Sequence, residues 1–287
     1  MSLIEELSEV RATDPERVRS SVIDRPKGNI ADFDRFMVIA CDHPARGALG
    51  AGAKPQAMES REEVLQRCVE ALSRPGVNGF LGTADLIEDL SLLGALDGKV
   101  VWGSMNRGGL QGASFEMDDK FTCYDAAGIE QMGLAGGKML LRFNYKDPAT
   151  VATMESCAHA VDDLASRGLN AMVEPFVSNW VGDRVINDLS AEAIIRSIAI
   201  ASGLGKTSAY TWLKLPCVAD MERVMEATTL PSLILGGEVA KDPDNTLALW
   251  ANALNQPNIR GLVIGRSLLF PPDDDVAAAV DRAVELL

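Results

Sequence analysis

Histidine is scarce in this chain: there are only His43 and His159. The five cysteines, Cys41, Cys68, Cys123, Cys157 and Cys217, never fall in a CxxC pair. No His/Cys cluster has the spacing of a zinc site, so neither a metal nor another cofactor is expected. An odd number of widely spaced cysteines reads as reduced thiols, not a disulfide framework, and points to the cytoplasm. No run approaches the roughly 20 apolar residues that span a bilayer. The opening MSLIEELSEV is acidic and lacks the apolar core of a secretory signal. Positive charge is in deficit, with 27 Lys and Arg against 41 Asp and Glu, a net −14. Such a surface repels nucleic-acid phosphates and anionic lipid, although a local cationic pocket can still hold a small phosphorylated ligand. No GxGxxG follows the first predicted strand, which argues against a dinucleotide site. Internal repeats and low-complexity segments are also missing.

What remains is a chain of 287 residues, 47% hydrophobic and 24% charged, with enough apolar content for a large core. A length near about 250 residues suits one (β/α)8 barrel with a short extension. Eight short apolar runs have strand length: 36–40, 77–81, 100–104, 138–143, 171–176, 211–216, 232–237 and 261–265. Amphipathic stretches separate them, at 60–73, 84–93, 150–167, 191–203, 219–228, 244–254 and 274–287. Asp147-Pro148 and Asp242-Pro243 predict helix starts, and Gly168 and Gly203 predict helix ends. Strict alternation predicts a parallel sheet, and eight units predict closure into an α/β TIM barrel. Residues 1–30 read as a helical extension that caps the barrel floor or meets another subunit, and residues 31–287 as the barrel domain. The long connection from Asn106 to Cys123 is expected to fold over the catalytic face.

The side-chain period of two sorts each strand into a helix-facing and an interior set. Lys214 shares a face with Trp212, while Leu213 and Leu215 take the other. Lys138 and Arg142 oppose Met139, Leu141 and Phe143. Glu174 pairs with Met172, and Asp42 with Val38 and Ala40. Four strands thus aim Asp42, Lys138, Arg142, Glu174 and Lys214 at one interior. Charges there need partners or a function. One reading is a structural ion network that fills the barrel. The other is a reactive centre built on Lys214.

A lysine amine attacks a carbonyl only when neutral, and its ordinary pKa is about 10.4. Burial and a neighbouring cation are therefore needed, and Lys138 and Arg142 are the candidates for that cation. Glu174 and Asp42 could supply the acid–base steps, with Tyr145 as a further candidate. Strand seven ends in Gly236-Gly237-Glu238 and strand eight in Gly265-Arg266. Barrel phosphate sites are often built from these two strand ends, so Gly236, Gly237, Gly265 and Arg266 are candidate anion-binding residues. His43, directly after Asp42, is placed to touch substrate, whereas His159 lies in a predicted helix.

The motifs ACDHPARG (40–47), GGKMLLRF (136–143), VEPF (173–176), WLKLP (212–216), LGGE (235–238) and IGRSLLF (264–270) resemble those of the class I aldolase superfamily. The resemblance is to its tagatose-bisphosphate, archaeal-type fructose-bisphosphate and deoxyribose-phosphate branches, and it spans residues 36–270 in order. It implies Lys214 as the Schiff-base lysine, Glu174 and Lys138 as an acid–base pair, and Asp42 as the group that organises substrate hydroxyls. Gly236, Gly237 and Arg266 would hold a sugar phosphate. Strand seven carries no lysine, unlike a deoxyribose-phosphate aldolase. The family resemblance and the fold imply a homo-oligomer. Another Schiff-base barrel enzyme, such as a transaldolase or dehydratase, and a non-catalytic sugar-phosphate-binding barrel are the competing readings.

Overall fold

A computed structural model describes residues 2–237, 239 and 242–287 of the chain. Glu238, the acidic residue of the Gly-Gly-Glu turn, lies outside the described residues. Eight parallel strands close into a barrel: β1 (Phe36–Cys41), β2 (Gly79–Gly82), β3 (Val100–Ser104), β4 (Gly136–Phe143), β5 (Asn170–Val181), β7 (Thr211–Pro216), β8 (Ser232–Leu235) and β9 (Ile259–Ile264). Each pairs with its sequence neighbour in the ring, β1 with β9 included, which confirms the (β/α)8 reading. The short β6 (Arg184–Asn187) was not anticipated. It runs antiparallel to the extended end of β5, and its turn is Gly182-Asp183 with Gly182 at φ 59°. A two-residue Gly-Asp turn is a recognisable hairpin signal, because glycine takes positive φ without a Cβ clash.

The helices start where the sequence offers a cap. Ser60 accepts from the Glu63 amide before α3 (Arg61–Ser73), and Ser190 accepts from Ala193 before α7 (Ala191–Ser202). Asp242 does the same for Asn245 ahead of α9 (Pro243–Leu254). At the 147–148 signal, Asp147 Oδ1 accepts from the Ala149 amide and α6 (Ala149–Ser166) follows. Each cap satisfies an amide that the helix itself leaves unpaired. The N-terminal helices α1 (Leu3–Thr13) and α2 (Pro15–Ile23) lie on the outer layer, against α3 and α4 (Ala84–Leu92). Arg11 anchors them there on Asp89 and Glu88. It is Ile30 and Phe33, not the helices, that reach the barrel floor.

The parity argument holds in every strand that carries a candidate. Val38, Ala40, Trp102, Met172, Leu233 and Val263 form one buried cluster inside the barrel, while Met37, Ile39, Cys41, Met139, Leu141, Leu213 and Leu215 join the larger layer under the helices. An aromatic plug closes the floor. Phe36 packs edge-on against Phe33 at 5.9 Å, Trp102 at 5.9 Å and Trp212 at 5.5 Å. Trp102 Nε1 donates to Asn170 Oδ1 at 2.8 Å, so its polar atom is not stranded in the core. Phe36→Ala should cost about 3–5 kcal/mol, the usual range for emptying a large aromatic site. A fall in the urea midpoint without a change in slope would be the corresponding result; an unmoved midpoint would show that the plug carries no stability.

Candidate active site

The centre sits above the plug, on side chains from four strands. Lys138 and Met172 are register partners across β4 and β5, and Ser104 lies beside Lys138 across β3 and β4. Lys214 Nζ contacts Glu174 Oε1 at 2.9 Å, and Lys138 Nζ pairs closely with Glu174 Oε2. Lys138 Nζ also lies 3.3 Å from Asp42 Oδ2. Asp42, Lys138, Glu174 and Lys214 are all buried. One carboxylate thus serves two lysines, and one of those lysines serves two carboxylates.

The electrostatics follow from burial and this sharing. Burial pulls the Lys138 ammonium down to about 8, although Asp42 and Glu174 oppose the shift and Lys214 and Arg107 reinforce it. Burial favours a neutral Glu174, yet Lys138 and Lys214 together hold its carboxyl at about 2. Asp42 is likewise held well below the usual carboxylate range: burial opposes ionisation, but Arg107, Lys138, His43 and Lys214 favour it. Burial takes His43 to about 3, helped by Arg266, Lys214 and Arg107 against the pull of Asp42. The imidazole is therefore neutral at working pH. Its Nδ1 stands 3.8 Å from Asp42 Oδ1 and has no hydrogen-bond partner among the described residues.

The structure places Arg142 elsewhere than expected. Its parity is inward, but its Nη1 donates to Glu116 Oε1 at 2.7 Å and Nη2 to the Glu116 carbonyl. A guanidinium committed to the loop in this way is not the cation beside Lys214, nor is it free for an anion. Lys138 is the neighbouring cation. Tyr145 is also displaced from its expected role. Its side chain is 70% exposed, and its ring lies 5.9 Å from the Arg196 guanidinium of the outer helix α7.

The remaining candidates lie at the last two strand ends. Gly265 follows β9 and approaches β1 so closely that a Cβ there would collide with the Ala40 carbonyl and meet His43 Cε1 at 3.1 Å. This contact brings the β9 end beside the Asp42–His43 end of β1. Gly236 is packed against Ile264, while Gly237 adopts φ 67° and a Cβ there would meet nothing within 4 Å among the described residues. Arg266 has no carboxylate partner among the described residues; its Nη1 reaches only the Gly50 carbonyl, at 3.5 Å.

Sequence reasoning missed two residues of the centre. Ser104 Oγ donates to Asp42 Oδ2 at 2.8 Å, and Arg107 Nη2 pairs with the same oxygen at 2.8 Å. Ser104 shares its parity with Val100 and Trp102, so the same period-of-two count would have found it. Arg107 lies in irregular chain and left no periodic signal.

The fold and the centre together define a (β/α)8 barrel with a buried lysine–carboxylate cluster inside its mouth. The chain belongs to the Cgl0159-like family, whose model matches residues 34–284. The crystal structure of Cgl0159 from Corynebacterium glutamicum is 52% identical, covers 99% of this chain and 96% of its own, and superposes with a TM-score of 0.95. More distant barrels share the fold alone. A Schiff-base-forming fructose-1,6-bisphosphate aldolase is 16% identical with a TM-score of 0.64, covering 94% of this chain and 99% of that one. A fructose-bisphosphate aldolase from Slackia heliotrinireducens is 12% identical with a TM-score of 0.63, covering 96% and 91%. No curated protein sequence matches the chain. Among the described residues, no helix is long and apolar enough to cross a membrane.

Proposed function

We propose that this chain is a class I aldolase, which breaks or forms a carbon–carbon bond in a phosphorylated sugar-derived carbonyl compound through an imine on Lys214. The observation that carries the reading is the sharing of Glu174 between Lys214 and Lys138 at the buried floor of the mouth. Lys214 Nζ attacks the substrate carbonyl. Glu174, having taken the ammonium proton of Lys214 across their 2.9 Å contact, passes it to the departing hydroxyl as the carbinolamine loses water. The iminium then accepts the electron pair of the adjacent carbon–carbon bond. As that bond breaks, Glu174 takes the proton of the hydroxyl on the far carbon, whose oxygen becomes the aldehyde. Asp42 orients that hydroxyl. The enamine regains a proton on carbon from Glu174, and water releases the ketone and restores Lys214. Lys138 stays against Glu174 throughout and steadies its charge as the proton moves.

Arg266 supports an anionic substrate group. It directly follows the Gly265 crossing and has no carboxylate of its own among the described residues. A charge-assisted hydrogen bond contributes about 1.5–3 kcal/mol, so Arg266→Ala should raise KM for a phosphorylated substrate roughly 10- to 100-fold with little change in kcat. Equal losses in kcat and kcat/KM would instead place Arg266 in the chemical step. The direct test of the reading is borohydride reduction with dihydroxyacetone phosphate and a panel of small ketones, followed by peptide mass mapping. A reduced adduct on Lys214, with cleavage products from a ketose phosphate, is the expected result. An adduct without cleavage would favour another Schiff-base enzyme, and binding without an adduct a non-catalytic barrel.

A further inference from the structure

The connection between β3 and α5 (Ala126–Gln131) lies across the mouth and is held by buried arginines. Arg46 Nη2 donates to Asp119 Oδ2 and to the Asn106 carbonyl, each at 2.6 Å, and Arg142 grips Glu116. Those two pairs already fasten the segment. The third arginine, Arg107, belongs to the segment itself and turns down into the centre. Its Nη1 donates to the Asp42 carbonyl at 2.7 Å, its Nη2 lies 2.8 Å from Asp42 Oδ2, and its Nε donates to the Asn106 carbonyl at 2.9 Å. Arg107 is only 6% exposed and Asp42 2%.

We propose that Arg107 is a positioning residue, which fixes the Asp42 carboxylate so that Oδ1 alone is presented to substrate. The two oxygens are treated very differently. Oδ2 receives Ser104 Oγ at 2.8 Å, Arg107 Nη2 at 2.8 Å and Lys138 Nζ at 3.3 Å. Oδ1 accepts no hydrogen bond among the described residues, and His43 Nδ1 stands 3.8 Å from it. Three donors on one oxygen leave the other as the free acceptor for a substrate hydroxyl. Lys138 cannot do this alone, since it is drawn to Glu174 and stands farther from Asp42. Because Arg107 also grips the backbone carbonyl of Asp42, it fixes both ends of the residue. A buried guanidinium is costly unless paired, and Asp42 is the only carboxylate that pairs with it among the described residues.

The use of Oδ1 by a substrate hydroxyl rests on the aldolase reading; the fixing of Asp42 does not. The titratable groups facing Asp42 are Arg107 from the connection, Lys138 from β4, Glu174 from β5, Lys214 from β7 and the neutral His43 from the end of β1. Without Arg107, ionised Asp42 loses its nearest cation, so the carboxyl should protonate at higher pH.

The test compares wild type, Arg107→Met and Arg107→Lys. In Arg107→Met, kcat/KM for cleavage should fall roughly 100-fold, about the worth of one charged hydrogen bond. Its acid limb should move up by about one pH unit or more. Arg107→Lys should recover part of both. Borohydride trapping of dihydroxyacetone phosphate on Lys214 should stay near the wild-type level, since forming that imine does not call on Asp42. In parallel, carbon-13 NMR of carboxyl-labelled aspartate, with Asp42→Asn for assignment, should show Asp42 titrating at higher pH in both variants. A folded Arg107→Met with the wild-type pH profile and the wild-type Asp42 titration would overturn the proposal. So would a loss of trapping equal to the loss of cleavage, since Arg107 would then support the whole site. Should Arg107→Met not fold, Arg107→Lys decides by the same readouts. If the wild type forms no imine with any ketone, the aldolase reading fails by itself, and the Asp42 titration still judges Arg107.

Discussion

Lys214→Ala should fold as the wild type does and lose about 10^4-fold or more in kcat, the scale on which a covalent nucleophile is missed. The large effect follows from geometry. Lys138 is the only other amine at the centre among the described residues, and it cannot take over. It is held between Asp42 and Glu174, with contacts to both carboxylates, whereas Lys214 contacts Glu174 alone. Replacing Lys214 therefore removes the one amine that can leave its partner for a carbonyl. The effect on the fold should be small by comparison. Glu174 keeps Lys138, so no carboxylate is orphaned, and the neighbouring Trp212 keeps its edge-on contact with Phe36. Turnover, circular dichroism and borohydride trapping of the same preparation check this together. Near-wild-type turnover, or an adduct that maps to Lys138, would move the nucleophile and dismiss the mechanism.

The reason Lys214 could be singled out from sequence is physical. A barrel strand has two differently covered faces, so a period of two decides which side chains enter the interior. That rule placed Asp42, Lys138, Glu174 and Lys214 together. It also placed Arg142 inward, and its parity is right. What parity cannot tell is how far up the barrel a residue stands. Arg142 is four residues beyond Lys138, at a height where the partner comes from the connection after β3, and Glu116 captures it. The same limit applies to Arg107, which enters the centre from irregular chain. Ser104 follows the same parity as Trp102, and the Gly182-Asp183 turn carries its own hairpin signal. Tyr145 lies in the turn after β4, where strand parity no longer applies, and its ring lies over α7.

Glu174→Gln should remove most of the activity and much of the stability, and the two losses should respond differently to pH. Glutamine keeps the shape and removes the charge shared by two lysines. Cleavage should slow by roughly 10^2- to 10^4-fold, the range for loss of a general acid–base. Breaking a buried ion pair on one side costs about 3–5 kcal/mol, because Lys214 is left without a counter-charge and Lys138 with Asp42 alone. Lys138 already sits at about 8 through burial, opposed by Asp42 and Glu174. With Glu174 neutralised only Asp42 holds it up, so it should lose its proton at still lower pH. Any activity that needs charged Lys138 then fades earlier on the alkaline side.

The acid side has the opposite sign. The folded protein holds Glu174 at about 2, below its ordinary value of 4.5. Its charge therefore stabilises the fold fully above about pH 4.5, and this contribution fades as pH falls towards 2. The urea-unfolding gap between wild type and Glu174→Gln should accordingly be widest near neutrality and narrower at pH 3. A gap that stays constant from pH 7 to pH 3 would mean that the variant loses packing rather than charge. Glu174 would then be a spacer between the lysines, not the proton carrier they share.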